Sequence, residues 1–336
     1  MRQKVTLKQL AAELDLSIST VSKSLKNDPE ISQATIDRVC KLAKERKYKP
    51  NALAVSLKSN KTRSIGVIIP DILNNFFAKV LLGIENEANK NNYKIITSIS
   101  SESFEKEKEY LDMLAYNGVD GFILAVSQET QTKGEFEHFN EILKDEIPIV
   151  MFDRVADDIY CDKVIVDDKK GAGDAVDKLI QSGCKNIGVV STIQKLSVGK
   201  ERLEGVERRL KSYEKTTMIL KLAKSKDYEE QISDFIKKNN FDGIIGLDET
   251  AGVSSVNAAN ILGLNVPEDL SVIGFTNGVL SKHSYPKLTT VSQHAKRMGS
   301  MAAKILIDKL ELRAERYLPQ TKVIKTSIIE RGTTIN

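Results

Sequence analysis

The chain has 336 residues, 41% of them hydrophobic and 29% charged, a balance that fits a folded globular protein and excludes a disordered one. No apolar run reaches the ~18–20 residues of a membrane span, and Met1 to Lys8 contain no apolar signal core, so no membrane partner is expected and the cytoplasm is the expected compartment. Three cysteines and three histidines, all far apart, argue against a disulfide framework and offer no metal-ligand spacing.

The net charge of +4 is unevenly divided. Residues 1–63 hold 14 Lys/Arg and 6 Asp/Glu, a net of +8, whereas residues 64–336 hold 36 and 40, a net of −4. Positive charge gathered in the first fifth of the chain predicts a polyanionic partner there and a different task for the remainder.

In chain order, Thr6 precedes Leu7, Leu10, Ala11 and Leu14, a threonine N-cap ahead of an amphipathic stripe. Asp15-Leu16-Ser17 is a turn, and Ser17 can cap a second helix that buries Val21 and Leu25. This is helix-turn-helix spacing. A third helix is predicted after Ser32, with Ile36, Val39, Cys40 and Ala43 on one stripe. The outward face of the second helix offers Ile18, Ser19, Ser22 and Lys23. Short hydroxyls and a lysine suit phosphates and base edges, and Ile18 suits a thymine methyl. Simple capping by the hydroxyls and solvation of Lys23 is the other reading of the same residues. Pro50 to Lys58 reads as a short helix with proline in its first turn, too short to hold its shape alone in water. A plain linker fits its composition equally well.

From Ser64 the pattern changes to apolar runs alternating with amphipathic stretches. Strands are predicted at Ile65–Ile69, Tyr93–Ile99, Gly121–Val126 and Ile147–Phe152, with a helix over Phe76–Lys90. The alternation predicts a parallel sheet with helices on both faces. Ile65-Gly66-Val67 recurs as Ile187-Gly188-Val189, Asp120-Gly121-Phe122-Ile123 as Asp242-Gly243-Ile244-Ile245, and Val150 as Val272, each 122 residues on; Phe152 matches Phe275 at 123. Three strands repeated in one order predict two similar α/β lobes, with a ligand cleft at the carboxyl ends of their strands.

The strand ends supply the candidate chemistry. Asn74, Phe76 and Phe77 follow the first strand, and Asp153-Arg154 follow the fourth. In the second lobe Arg202 lies near a helix start, Asp248 and Asn277 follow strands, and Gln293 follows Thr289-Thr290-Val291. Planar polar groups beside aromatic faces make a polyol-binding set. For single members the bland alternatives are core packing for the phenylalanines, a surface ion pair for Asp153-Arg154 and helix capping for Asp248. Enzymatic motifs are missing: there is no Gly-x-Gly-x-x-Gly, Walker loop or Gly-x-Ser-x-Gly. Gly171-Ala172-Gly173 completes no phosphate loop, and Asp167-Asp168 read as solvated or capping. No catalytic residue, cofactor or metal is expected. A solute-binding protein fits residues 64–336 but not the basic head.

Thr6 to Ala11, Leu16 to Lys23 (with Thr20 among them) and Tyr48 to Ala54 resemble the reading head of the LacI/GalR family of bacterial regulators, and the region from Ser64 resembles that family's periplasmic-sugar-binding-protein-like core. The resemblance implies a multi-domain fold: an all-α helix-turn-helix head over 1–48, a hinge helix and linker over 49–60, and an α/β two-lobed effector and dimerisation domain over 61–336. Lobe 1 is expected at about 61–160 and 292–320, and lobe 2 at about 161–291 and 321–336. The implied DNA contacts are Thr6, Ser17, Ile18, Ser19, Thr20, Ser22, Lys23, Asn51, Ala54, Leu57 and Lys58, with Leu57 wedging between base pairs in the minor groove. The implied effector contacts are Asn74, Phe76, Phe77, Asp153, Arg154, Arg202, Asp248 and Gln293, to which the strand-end reading adds Asn277. A homodimer on operator DNA and a small effector, a sugar or sugar phosphate, are the expected partners. The chain departs from the family at Asp15, where a glycine is usual, at Val55, where a polar or basic residue is common, and at Thr276, where an acid is common.

Overall fold

The computed structural model describes residues 5–48, 61–222, 227–312 and 318–335, in two compact units, Met1–Thr62 and Arg63–Asn336. The hinge expectations at Asn51, Ala54, Leu57 and Lys58, with the helix over 50–58, lie outside the described residues.

The first unit holds α1 (Leu7–Leu14), α2 (Ile18–Ser24) and α3 (Gln33–Glu45). Thr6 and Gln9 form a reciprocal capping box, the Gln9 amide donating to Thr6 Oγ1 and the Thr6 amide to Gln9 Oε1, an arrangement that satisfies two otherwise orphaned donors. Asp15 ends α1 in the left-handed conformation, φ 53° and ψ 47°, which aspartate tolerates better than most side chains. Ser17 caps α2 by accepting from the Thr20 amide at 3.0 Å. Leu10, Ala11, Val21, Val39 and Ala43 close the core. One expectation changes here. Cys40 is exposed, because three short helices cover only a narrow stripe of α3. The third helix follows Ser32 as expected, Ser32 bonding the Thr35 hydroxyl.

The second unit has two six-stranded sheets. The first contains β1 (Ser64–Ile69), β2 (Lys94–Ile99), β3 (Gly121–Leu124), β4 (Ile149–Phe152), β5 (Asp162–Val166) and β11 (Thr321–Ile324); the second contains β6 (Ile187–Ser191), β7 (Met218–Lys221), β8 (Gly243–Gly246), β9 (Ser271–Phe275), β10 (Thr289–Ser292) and β12 (Ser327–Ile329). The orders are β11-β5-β4-β3-β1-β2 and β12-β10-β9-β8-β6-β7. The first sheet is wholly parallel, and the second is parallel except for β12 against β10. The internal repeat is visible in the register: Ile65 pairs with Gly121 in one lobe and Ile187 with Gly243 in the other. Strands buried on both faces explain the continuous apolar runs.

In the first lobe α4 (Asn75–Lys90), α5 (Phe104–Tyr116), α6 (Gln128–Lys133), α7 (Glu137–Lys144) and α13 (Ala295–Leu312) cover the sheet, and in the second α8 (Asp168–Gln181), α9 (Ser197–Ser212), α10 (Tyr228–Asn239), α11 (Glu249–Ile261) and α12 (Leu280–His283) do so. Helices α4 and α13 meet backbone to backbone: a Cβ on Gly83 would lie 2.1 Å from the Lys296 carbonyl oxygen, so only glycine permits the approach. The chain passes between lobes three times, from β5 to α8, from β10 to α13 and from β11 to β12. This corrects the expected lobe boundaries at about 160 and 320. The hydrogen-bonded ladders of β5 with β4 and of β11 with β5 keep residues 162–166 and 321–324 in the first lobe. Among the described residues no helix is long and apolar enough to cross a membrane.

Candidate functional site

In the first unit α2 turns Ile18, 49% exposed, and Ser19 to solvent, with Ser22 and Lys23 half-buried. The hydroxyls of Thr6, Ser17 and Thr20 are engaged in local caps, Ser17 Oγ lying 2.8 Å from Thr20 Oγ1. The Lys23 ammonium pairs with Glu30, whose hydrogen bond and charge raise the lysine pKa. An exposed pair of this kind is weak.

In the second unit a cleft of about 480 Å³ lies between the lobes, beyond the carboxyl ends of their strands, where open α/β sheets take ligands. Its walls bring together Asn74, Phe76, Phe77, Asp153, Arg154, Arg202, Asp248 and Gln293. Asn277, the ninth expected residue, lies elsewhere. It lines the adjoining cavity, its side-chain oxygen drawn to Arg331 and its carbonyl to the Lys79 ammonium.

From the first lobe, Asn74 caps α4, its side-chain oxygen accepting from the Phe76 amide at 3.0 Å. The rings of Phe76 and Phe77 meet edge to face at 5.3 Å, and Phe77 also meets Phe152 at 6.2 Å. Phe77 is therefore a core residue as well as a wall. Asp153 leaves β4 in the left-handed region, φ 57°, which turns its carboxylate inward. Burial pushes that carboxyl up to about 6, and nearby Asp168 adds to the rise while Arg202 and Arg154 oppose it. Arg154 is buried and donates to both oxygens of Glu102, at 2.7 and 2.8 Å, with its guanidinium 5.2 Å from the Phe77 ring centre. The surface Asp153-Arg154 pair weighed from sequence is thus absent among the described contacts: both groups are buried and the arginine pairs with Glu102.

From the second lobe, Arg202 donates through Nε to Asp168 at 2.6 Å and through Nη1 to the Leu247 carbonyl at 2.8 Å. It also lies over Phe275 at 4.4 Å. Burial raises the Asp168 carboxyl pKa, and Arg202 counters it. Asp248 caps α11 by accepting from Ala251 and ties in the loop after β6 by accepting from Thr192, both at 2.9 Å. Gln293 sits in the second lobe crossing. It accepts from the Thr276 hydroxyl at 2.8 Å and donates to Asp153 at 3.0 Å, a relay running from lobe 2 through the crossing to lobe 1.

Sequence reasoning missed Asp168. Asp167 is the cap, accepting from Lys170, while Asp168 turns inward to Arg202. The lobe crossing immediately before it is the signal that would have found it. Asp71, Thr192 and Glu249 also line the cleft. Two buried polar atoms of its lining residues, Arg154 Nε and Asn75 Oδ1, make no hydrogen bond.

Comparison with known proteins agrees with this architecture. The family model described as "Bacterial regulatory proteins, lacI family" matches residues 6–51, and that described as "Periplasmic binding protein-like domain" matches residues 176–334. The HTH-type transcriptional regulator RegA of Clostridium saccharobutylicum is 33% identical over 340 residues, covering 98% of this chain and 99% of its own. Catabolite control protein A of Priestia megaterium is 33% identical over 310 residues, 90% of this chain and 91% of its own. A LacI family transcriptional regulator from Enterococcus faecium, solved with bound ribose, is 27% identical with a TM-score of 0.71, covering 81% of this chain and 98% of that one. The lac repressor dimer bound to operator superposes with a TM-score of 0.85 over 99% of this chain and 100% of that one, at 19% identity, a likeness of fold. A helix-turn-helix head followed by a two-lobed ligand cleft defines a ligand-responsive transcription regulator and not an enzyme. The chain belongs to the LacI family of bacterial regulatory proteins.

Proposed function

We propose that this regulator is a cytoplasmic repressor of carbohydrate-utilisation genes, bound as a homodimer to a pseudopalindromic operator and controlled by a small saccharide in the interlobe cleft. The observation that carries the reading is the meeting of Asp153, Gln293, Arg154 and Arg202 with Phe76 and Phe77 on the walls of one cleft. Carboxylate, amide and guanidinium groups beside aromatic rings are suited to hydroxyls and to the C–H face of a sugar. Both arginines already pair with carboxylates, which favours a neutral sugar over a sugar phosphate.

On the DNA side Thr6, Ser17, Ile18, Ser19, Thr20, Ser22 and Lys23 supply the major-groove and phosphate contacts, with Asn51, Ala54, Leu57 and Lys58 at the hinge. Two heads on a twofold axis read half-sites one helical turn, or a multiple of it, apart. Effector and operator are coupled through the lobes, and coupling of about 1–3 kcal/mol changes operator affinity about 5- to 150-fold.

The test uses the full-length protein. Duplexes selected from a random pool are expected to show a twofold-symmetric motif. A saccharide that raises the melting temperature is expected to change affinity for that duplex by about fivefold or more. Selected duplexes without symmetry, or a panel of saccharides none of which shifts melting, would remove the reading.

A further inference from the structure

Exposed apolar side chains line the cleft on both lobes. Leu73 is 91% exposed, Val279 48% and Leu280 53%, and all three line the cleft. Leu73 belongs to the first lobe, in the loop between β1 and α4, while Val279 and Leu280 belong to the second, at the start of α12. The cleft thus has exposed apolar side chains on both lips, with acids, amides and arginines beside buried Phe76, Phe77, Leu196 and Val198 within.

Both lips are held in place. The Leu73 amide donates to Asp71 Oδ1 at 2.8 Å, a local turn that fixes the backbone carrying the side chain. On the opposite lip the Ser281 amide donates to Glu249 Oε1 at 2.9 Å. A Cβ on the neighbouring Gly278 would fall 1.8 Å from the Glu249 carboxylate, so the loop is pinned against that side chain. Leucine and valine held in water by anchored loops can each recover hydrophobic free energy when covered. The volume of about 480 Å³ lies within the range of about 300–1,000 Å³ of clefts that enclose drug-sized ligands, and leaves room beyond one sugar ring.

We propose that the effector is amphipathic: a saccharide whose ring lies against the buried polar groups and phenylalanines and whose apolar substituent, an aryl or alkyl aglycone, lies between Leu73 and Val279–Leu280. This rests on the reading of the cleft as a saccharide site and adds the class of saccharide. The lips then act as a specificity element, selecting glycosides over the free sugars that the buried groups alone would accept.

The test is calorimetric titration of the full-length protein with matched methyl and phenyl glycosides of common pentoses and hexoses, in both anomeric series. For the sugar that binds, the phenyl glycoside is expected to bind about tenfold more tightly than the methyl glycoside, the value of covering roughly one leucine-sized apolar surface. Leu73→Ser, at an exposed position, is expected to leave melting unchanged, to remove most of that tenfold gain and to leave the methyl glycoside affinity as it was. Equal affinities for the two glycosides would overturn the aglycone subsite while leaving the saccharide reading intact. So would an equal loss for both in Leu73→Ser, the behaviour of lips that merely close on each other. Binding of no saccharide at all would overturn both readings together.

Discussion

The two lobes share a strand order but bury their arginines differently. In the first lobe Arg154 is paired with Glu102, whose side chain is 32% exposed, whereas in the second Arg202 is paired with Asp168, both nearly inaccessible at 4% and 3%. Arg154 lines the cleft and has a buried Nε without a hydrogen-bond partner. Arg202 is committed to Asp168 and to the Leu247 carbonyl and lies over Phe275. One lobe therefore holds its cation against a partly exposed carboxylate, and the other uses its cation to hold the wall together. A binding cleft needs both: groups a ligand can engage, and a frame that does not move when it does.

The largest effect expected from this contrast is on stability. Arg202→Ala leaves Asp168 buried without its partner, and breaking a buried pair in this way costs about 3–5 kcal/mol. Arg154→Ala leaves Glu102 able to rehydrate, so a loss nearer 1 kcal/mol is expected, together with a severe loss of effector affinity. Urea denaturation and ligand titration of the two variants check this. Equal destabilisation would break the comparison between the lobes.

The second effect concerns pH and separates Asp153 from its surroundings. Its carboxyl, pushed up by burial, titrates near 6 in the folded protein against a reference of 3.8. Below about pH 4 both folded and unfolded chains are protonated and the stabilising contribution is whole. Between about 4 and 6 the unfolded chain ionises first, so stability is lost as pH rises through the folded value. Asp153→Asn removes this slope. It is expected to gain on the wild type from pH 5 to 7, by on the order of 3 kcal/mol at most, because the Gln293 amide still has an oxygen to donate to. A saccharide donating a hydroxyl to the carboxylate is expected to bind more tightly above pH 6 in the wild type and with a flat profile in Asp153→Asn. Parallel pH profiles for the two proteins would show that Asp153 is not the titrating group.

Much of the frame was legible in the sequence, for physical reasons that also mark where legibility stopped. Caps at Thr6 and Ser17 declare themselves because a short hydroxyl before an apolar stripe has one efficient use. The repeat was legible because doubly covered parallel strands must be continuously apolar. The positions of β5 and β11 were not, since Asp162–Val166 and Thr321–Ile324 are short strands whose membership depends on ladders formed with distant residues. Asp168 was hidden by the same misplaced crossing. Asn277 follows a strand as expected, but Arg331, 54 residues away, takes its side chain, and no local pattern announces that. Leu73 stands out only because the fold sets Val279 and Leu280 on the other lobe of the same cleft.

The smallest effect tests whether the lobes are coupled outside the cleft. Gln131, on α6 of the first lobe, donates to Ser197 Oγ at 2.9 Å and accepts from the Ser197 amide at 3.2 Å. Ser197 is the first residue of α9, whose own N-cap position, Leu196, supplies no side-chain bond. A glutamine of one lobe thus caps the helix that carries Arg202 in the other. Gln131→Ala removes this tie without touching a cleft wall, at a stability cost of about 1 kcal/mol. The lobes then have to be drawn together by the ligand alone, so effector affinity is expected to fall about two- to fivefold, with the operator affinity of the ligand-free protein changing in the direction set by the more open form. Tighter effector binding in Gln131→Ala would mean that the tie opposes the ligand-bound arrangement. The two lobes would then be coupled with the opposite sign to that argued from the geometry of α6 and α9.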